Sequence, residues 1–126
     1  MQCPKCDGEM DTVSEDGRDA IRVDRCNDCH GLYLDQLTLA DLGLLQNEMA
    51  NLDIGDEEMG AEYNEMVYVE CPKCDRIMDQ RISEGEVRIR FELCVTCHSA
   101  FLDAGELRQY LSDECREEFE ALLPAH

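Results

Sequence analysis

Apolar side chains along this chain follow two different periods. Short stretches of alternating apolar positions occur around Met10 to Val13 and Ala20 to Val23, joined by the polar run SEDGRD. The same pattern returns from Met78 to Ile82 and from Val87 to Phe91, joined by SEGE. Alternation around a glycine that can take a positive φ predicts a β-hairpin in each place. A third short apolar run follows each hairpin, Leu32-Tyr33-Leu34 and Ala100-Phe101-Leu102. Elsewhere the spacing is helical. Leu39, Leu42, Leu45 and Met49 predict an amphipathic helix over 36–50. Asp103 followed by Glu106 resembles a capping box and predicts a helix over 104–111. Ser112 as a cap, with Cys115, Phe119, Leu122 and Leu123 on one face, predicts a last helix over 113–123, ended by Pro124.

These elements come in two sets because the chain repeats itself. Residues 3–42 align with 71–110 at a constant offset of 68 without a gap, and sixteen of the forty positions are identical. The matches include CPKCD at 3 and 71, Cys26 with Cys94, Cys29-His30 with Cys97-His98, and Leu34-Asp35 with Leu102-Asp103. A tandem duplication follows, and it sets the expected organisation: a first unit and its helix over 1–50, an acidic linker over 51–65, and a second unit with the C-terminal helices over 66–126.

Each unit has few large apolar residues, and the chain has no Trp. Domains this small need a staple. Nine cysteines suggest which kind. The N-terminus MQCPKCDGEM has no basic or apolar run of a secretory signal, and no stretch is apolar enough to span a bilayer, so a cytoplasmic location is expected. In a reducing cytosol, paired cysteines bind metal more often than they form disulfides.

Eight of the nine cysteines form C-x-x-C pairs: Cys3, Cys6, Cys26 and Cys29 in the first unit, and Cys71, Cys74, Cys94 and Cys97 in the second. In each unit nineteen residues separate the pairs, which matches four-cysteine zinc sites. A two-residue spacer folds into a knuckle that aims both sulfurs at one point, and the hairpin brings the second knuckle opposite. Pro4 and Pro72 stiffen the first knuckle, and Gly8 is expected to ease the chain away from the metal. The expected cofactors are two zinc ions per chain. Iron is the alternative, because four thiolates select poorly between the two metals. CNDCH and CVTCH also satisfy a haem-attachment pattern, but covalent haem would leave Cys3, Cys6, Cys71 and Cys74 without a role. His30 and His98 are therefore expected beside the metal, not on it, and Cys115 is expected to be a small core residue.

The run from CPKCDGEM to CHGLYLD, and again from CPKCDRIM to CHSAFLDAGEL, resembles the transcription-factor-IIB-type zinc ribbon of small bacterial and phage proteins. The resemblance implies zinc at the eight cysteines and a three-stranded antiparallel ribbon with rubredoxin-type knuckles, followed by a helix. The expected fold class is thus a small metal-stabilised α+β protein with two zinc ribbons, each followed by an α-helix. Members often carry Gly after the second knuckle and Trp near the third strand, where this chain has His30 and His98, and Tyr33 and Phe101.

Charge shapes the functional expectation. Thirty acidic residues against eleven basic ones give a formal charge of -19. Such a surface repels phosphate backbones, so direct nucleic-acid binding is not expected. No Gly-rich phosphate loop and no nucleophile with a His partner is visible, and the chain is not expected to be an enzyme. The acidity is read first as a source of solubility and second as a docking surface for a basic partner. The leading expectation is a non-enzymatic zinc-binding interaction or regulatory adaptor module that engages a protein partner, a basic or nucleic-acid-associated one among the candidates. A rubredoxin-like iron electron carrier and an acidic nucleic-acid mimic or transcription-associated regulator are the alternatives. Leucines at 37, 39, 42, 44 and 45 exceed what one ribbon can cover; cover by the second unit is expected over a homodimer contact.

Overall fold

A computed structural model of the protein describes residues 2–13, 22–39, 42, 53, 55, 69–83 and 89–123. Each repeat contributes three short strands: β1 (Met10–Thr12), β2 (Val23–Cys26) and β3 (Leu32–Leu34) from the first, and β4 (Asp79–Ile82), β5 (Arg90–Leu93) and β6 (Ala100–Leu102) from the second. All the pairings are antiparallel; β1, β4 and the two third strands lie where they are expected, whereas β2 and β5 start later than the alternation at Ala20 to Val23 and Val87 to Phe91 and run on to Cys26 and Leu93, beside the second knuckles. The two glycine turns, 14–21 and 84–88, fall outside the described residues.

The repeats do not stand apart. Their third strands pair with each other, giving one six-stranded sheet in the order β1-β2-β3-β6-β5-β4. Leu32 faces Leu102, Tyr33 faces Phe101 and Leu34 faces Ala100. Tyr33 and Phe101 are equivalent positions in the two repeats, so an approximate twofold axis passes between them.

The pleat sends the side chains of this central pair to two different layers. Leu32, Leu34, Ala100 and Leu102 join a core with Phe91, Leu107, Tyr110 and Phe119. Tyr33 and Phe101 join a second cluster with the knuckle cysteines, Met10, Val69 and Met78. One face of the sheet is thus covered by helices and the other by the cysteine clusters. Both faces being covered explains why LYL and AFL are apolar at every position.

Two helices are described, α1 (Glu106–Tyr110) and α2 (Arg116–Ala121), and both follow the second ribbon. The fold is a small α+β protein of two sulfur-rich ribbons. The helix expected over 36–50 lies mostly outside the described residues. Of its leucines, Leu37 and Leu42 are buried in the same core as Leu107 and Phe119 of the second repeat, while Leu39 is exposed.

The caps differ from the expectation. Glu106 does reach back, accepting the Asp103 N–H at 2.7 Å, which is half of a capping box. The Asp103 carboxylate instead binds Lys5 of the first repeat. Asp53, within the 51–65 segment read as a linker, takes its place: it is buried and accepts N–H bonds from Gly105 at 2.9 Å and Arg108 at 3.0 Å. Ser112 does not cap α2; its hydroxyl donates to the Gln109 carbonyl at 2.6 Å, and a turn over 112–115 precedes the helix.

Candidate metal centres

Four knuckles carry the eight paired cysteines, and they share one backbone design. In each, the residue after the second cysteine donates its N–H to the carbonyl of the first: Asp7 to Cys3, His30 to Cys26, Asp75 to Cys71 and His98 to Cys94, at 2.9–3.1 Å. The N–H of the first cysteine then bonds to the carbonyl five residues on, of Gly8, Gly31, Arg76 and Ser99. Closing so tight a turn forces the residue after the second cysteine into a left-handed conformation. Asp7, His30, Asp75 and His98 all have φ of 60–61°. Asp and His are among the non-glycine residues that tolerate this region best. The His pair therefore serves the backbone of the knuckle, and neither imidazole joins the sulfur clusters. Gly8 has a different reason from the one expected: the positive φ sits at Asp7, and a Cβ at Gly8 would crowd the Asp28 carboxylate and lie 3.0 Å from the Cys26 sulfur.

The knuckles meet in pairs. Cys3, Cys6, Cys26 and Cys29 form one cluster and Cys71, Cys74, Cys94 and Cys97 the other, with all sulfurs in each within 4.8 Å of one another. Close approaches are 3.7 Å for Cys3–Cys29, 3.3 Å for Cys6–Cys26, 3.6 Å for Cys71–Cys97 and 3.3 Å for Cys74–Cys94. A tetrahedral ion with metal–sulfur bonds of about 2.3 Å requires edges of about 3.8 Å, so each donor set fits one four-coordinate metal. The Asp28 and Cys29 amides point at the Cys26 sulfur, at 3.4 and 3.5 Å, as they would to stabilise a thiolate.

The first cysteine of each ribbon is poised for ligation. A hydrogen bond from Cys29 brings the Cys3 thiol down to about 5. Burial works against ionisation of Cys71, but the Ser99 hydroxyl and the amides of its own knuckle bring it to about 6. The thiolate is the ligating form.

Each cluster is roofed by an aromatic from the other repeat. The Tyr33 hydroxyl lies 3.9 Å from the Cys71 sulfur, and a Cβ added at Gly31 would strike the ring of Phe101. Gly31 of the first site corresponds to Ser99 of the second, whose buried hydroxyl is 3.2 Å from Cys71 and 3.0 Å from Cys97. Cys115 packs in the helix-covered core, away from both clusters, as expected.

Residues 2–43 match the family model described as Transcription factor zinc-finger. They are a TFIIB-type zinc ribbon. The second zinc ribbon repeats its knuckle spacing, strand order and sulfur cluster over residues 71–102. No curated protein and no solved structure matched the chain.

A group of charged residues beside the ribbons was not recognisable from the sequence. Lys5 is wholly buried, with Nζ 2.8 Å from both Glu92 Oε1 and Asp103 Oδ2 of the second ribbon and 5.5 Å from the centre of the Phe101 ring. Burial works to discharge Lys5, but the Asp103 and Glu92 carboxylates hold its pKa above the ordinary lysine value. Burial also raises the acids: Glu92 to about 7, Asp103 upward, and Glu106 well above its usual range, where the neighbouring Asp103 adds to the effect. Their separation in sequence hid the group, since each residue alone looks like a surface charge. Among the described residues, no helix is long and apolar enough to cross a membrane.

Proposed function

We propose that the chain is a non-enzymatic zinc-binding protein that holds one zinc ion at Cys3, Cys6, Cys26 and Cys29 and a second at Cys71, Cys74, Cys94 and Cys97, and that its surface engages a basic protein partner. The observation that carries this reading is the closed character of both clusters. Four sulfurs converge in each, and Tyr33 and Phe101 lie over them, so a bound ion has a full set of protein ligands and no position for water or substrate. Such a metal folds the protein. Its binding free energy, about 10–16 kcal/mol in finger peptides, is comparable to the whole stability of an ordinary domain. The acidic composition supports a basic partner over nucleic acid. With two closed zinc sites the formal charge becomes about -23.

The test is metal analysis and chelation of protein purified from its native host. Two equivalents of zinc, and loss of the native circular dichroism spectrum when a chelator removes them, are expected. A coloured iron form with a reversible redox couple would replace this reading with an electron carrier. A native spectrum that survives loss of both metals would remove the structural role.

A further inference from the structure

Where the twofold axis emerges between the two C-P-K-C knuckles, the surface opens into a cleft of about 580 Å³. Its walls are equivalent segments of the two repeats, so Pro4 faces the cleft with Pro72, and Asp7 with Asp75. None of the nine residues that line it is basic. Asp7, Glu70 and Asp75 are exposed, and none of the three forms an ion pair among the described residues. The chain's two lysines, each in the C-P-K-C turn beside the cleft, face other partners: Lys5 binds Glu92 and Asp103, and Lys73 reaches Asp35 at 3.1 Å. Cys3 and Cys71 form part of the lining, so two zinc centres of formal charge about -2 each would stand directly behind it.

The cleft is not symmetric in its apolar part. Ile77, more than half exposed, contributes to it next to Glu70, with which it forms an isolated β-bridge. The first repeat has Glu9 at the equivalent position, in a bridge with Gln2. An exposed isoleucine beside unpaired carboxylates fits a ligand that is cationic and apolar together. Among the described residues these carboxylates are not close enough to share a metal ion, since only the eight cysteines form such groups. The two prolines and Ile77 supply an apolar surface that a bare cation would not use.

We propose that this cleft docks an extended, basic segment of a protein partner, with arginine or lysine side chains against Asp7, Glu70 and Asp75 and an apolar side chain against Ile77. The proposal rests on the reading of the protein as an interaction module and gives that reading a location. Because Ile77 is present on one side only, the partner segment binds in one direction across an otherwise twofold surface. The cationic residues supply the attraction and speed of encounter, and the isoleucine sets the register.

The test is an NMR titration of the full, zinc-loaded, ¹⁵N-labelled chain. The probes are peptides of alternating arginine and leucine, of alternating arginine and serine, and of alternating glutamate and leucine. The arginine-leucine peptide is expected to shift amides at 2–9 and 70–77 and to bind more tightly than the arginine-serine peptide, with no binding of the acidic one. Replacing Asp7→Asn and Asp75→Asn together should weaken binding about tenfold, the sum of two modest ion pairs. Asn tolerates the left-handed backbone at both positions, so these variants should keep the fold. Ile77→Glu, which copies the first repeat, should remove the preference for leucine over serine. Binding of the basic peptides with shifts elsewhere would overturn the cleft while leaving a basic partner in place. Failure of every basic peptide to bind at low ionic strength would overturn both. The same shifts on concentrating the protein alone would assign the cleft to self-association and overturn the proposal.

Discussion

The two ribbons have the same knuckles and the same strand order, yet they are joined to each other by two unequal contacts. Lys5 of the first repeat enters the second and is fully enclosed by Glu92 and Asp103. Its equivalent, Lys73, reaches the equivalent Asp35, but at 3.1 Å with both side chains nearly half exposed. Asp24, the counterpart of Glu92, turns instead to the Thr12 hydroxyl at 2.6 Å. The roofs of the two sulfur clusters diverge in the same way. Phe101 packs against Gly31, whereas Tyr33 shares its cluster with the Ser99 hydroxyl. The two copies share their knuckle backbone, and they differ in the side chains around it. In this protein the first site is the drier one, and the second is the one reached by hydroxyl groups.

That contrast can be broken most directly at the lysines. Lys5→Met leaves two carboxylates buried without their cation and is expected to cost about 3–5 kcal/mol, whereas Lys73→Met should cost less than about 1 kcal/mol. Urea unfolding of the metal-loaded protein would measure both, and equal shifts in midpoint would show that burial does not distinguish the two contacts. Next in size is Gly31→Ser, which gives the first ribbon the residue of the second. The new side chain meets the Phe101 ring, with Cε1 only 2.8 Å from the added Cβ. Overpacking of about 1–3 kcal/mol is expected. The reciprocal Ser99→Ala removes only the hydroxyl on Cys71 and Cys97 and should cost about 1 kcal/mol, with faster loss of the metal at the second site to a chelator. If Gly31→Ser were neutral, the roofs would be interchangeable.

Glu106 has no acidic counterpart in the first repeat, where Thr38 stands in its place. It faces Asp103, Tyr110 and Lys5, and burial raises its pKa well above the ordinary 4.5. A carboxyl raised on folding stabilises most below its unfolded pKa, and that contribution is lost as pH rises through the folded value. Glu106→Gln should therefore gain stability relative to the parent as pH rises above the ordinary carboxyl value of 4.5, a comparison in which the pH dependence of metal binding cancels. A difference that stays constant as pH rises would mean that Glu106 ionises alike in the folded and unfolded chain. The smallest effect is expected at the knuckle backbone. His98→Gly relieves a left-handed φ worth about 1–2 kcal/mol but loses about 0.5–1 kcal/mol to glycine's greater entropy. A net gain of about 0.5 kcal/mol by thermal denaturation is the outcome to check; a loss would show that the imidazole contributes more than the backbone strain costs.

The cysteine clusters and the presence of three strands per repeat were readable because their signals are local, although the bounds of β2 and β5 lie further along the chain than the alternation placed them. Cysteine spacing within a knuckle and alternation within a hairpin depend on neighbours a few residues apart. The join between the repeats was not readable for the opposite reason. LYL and AFL are buried on both faces, so they lack the alternation that would tell which face meets which partner. Capping also failed where a distant residue won. Asp103 has the position and chemistry of a helix cap, but Lys5, 98 residues away, takes its carboxylate. Asp53 then caps the helix from 52 residues upstream of Gly105. The left-handed residue of the second knuckle in each repeat could have been found: the glycine expected from the resemblance marks the position that His30 and His98 occupy here, and the C-x-x-C repeat then points to Asp7 and Asp75 as its counterparts in the first knuckles.

The pairing of β3 with β6 has a consequence for the history and handling of the chain. Each repeat alone would expose an apolar strand edge, an open template for aggregation, and the duplication closes that edge with its own copy. In a fragment holding only the first repeat that edge would stand open, and a second copy could pair with it in the same register, Tyr33 opposite Tyr33, with exact symmetry in place of the approximate one. In the present protein the two halves of that symmetric pair are covalently joined, so neither can drift away to expose its edge.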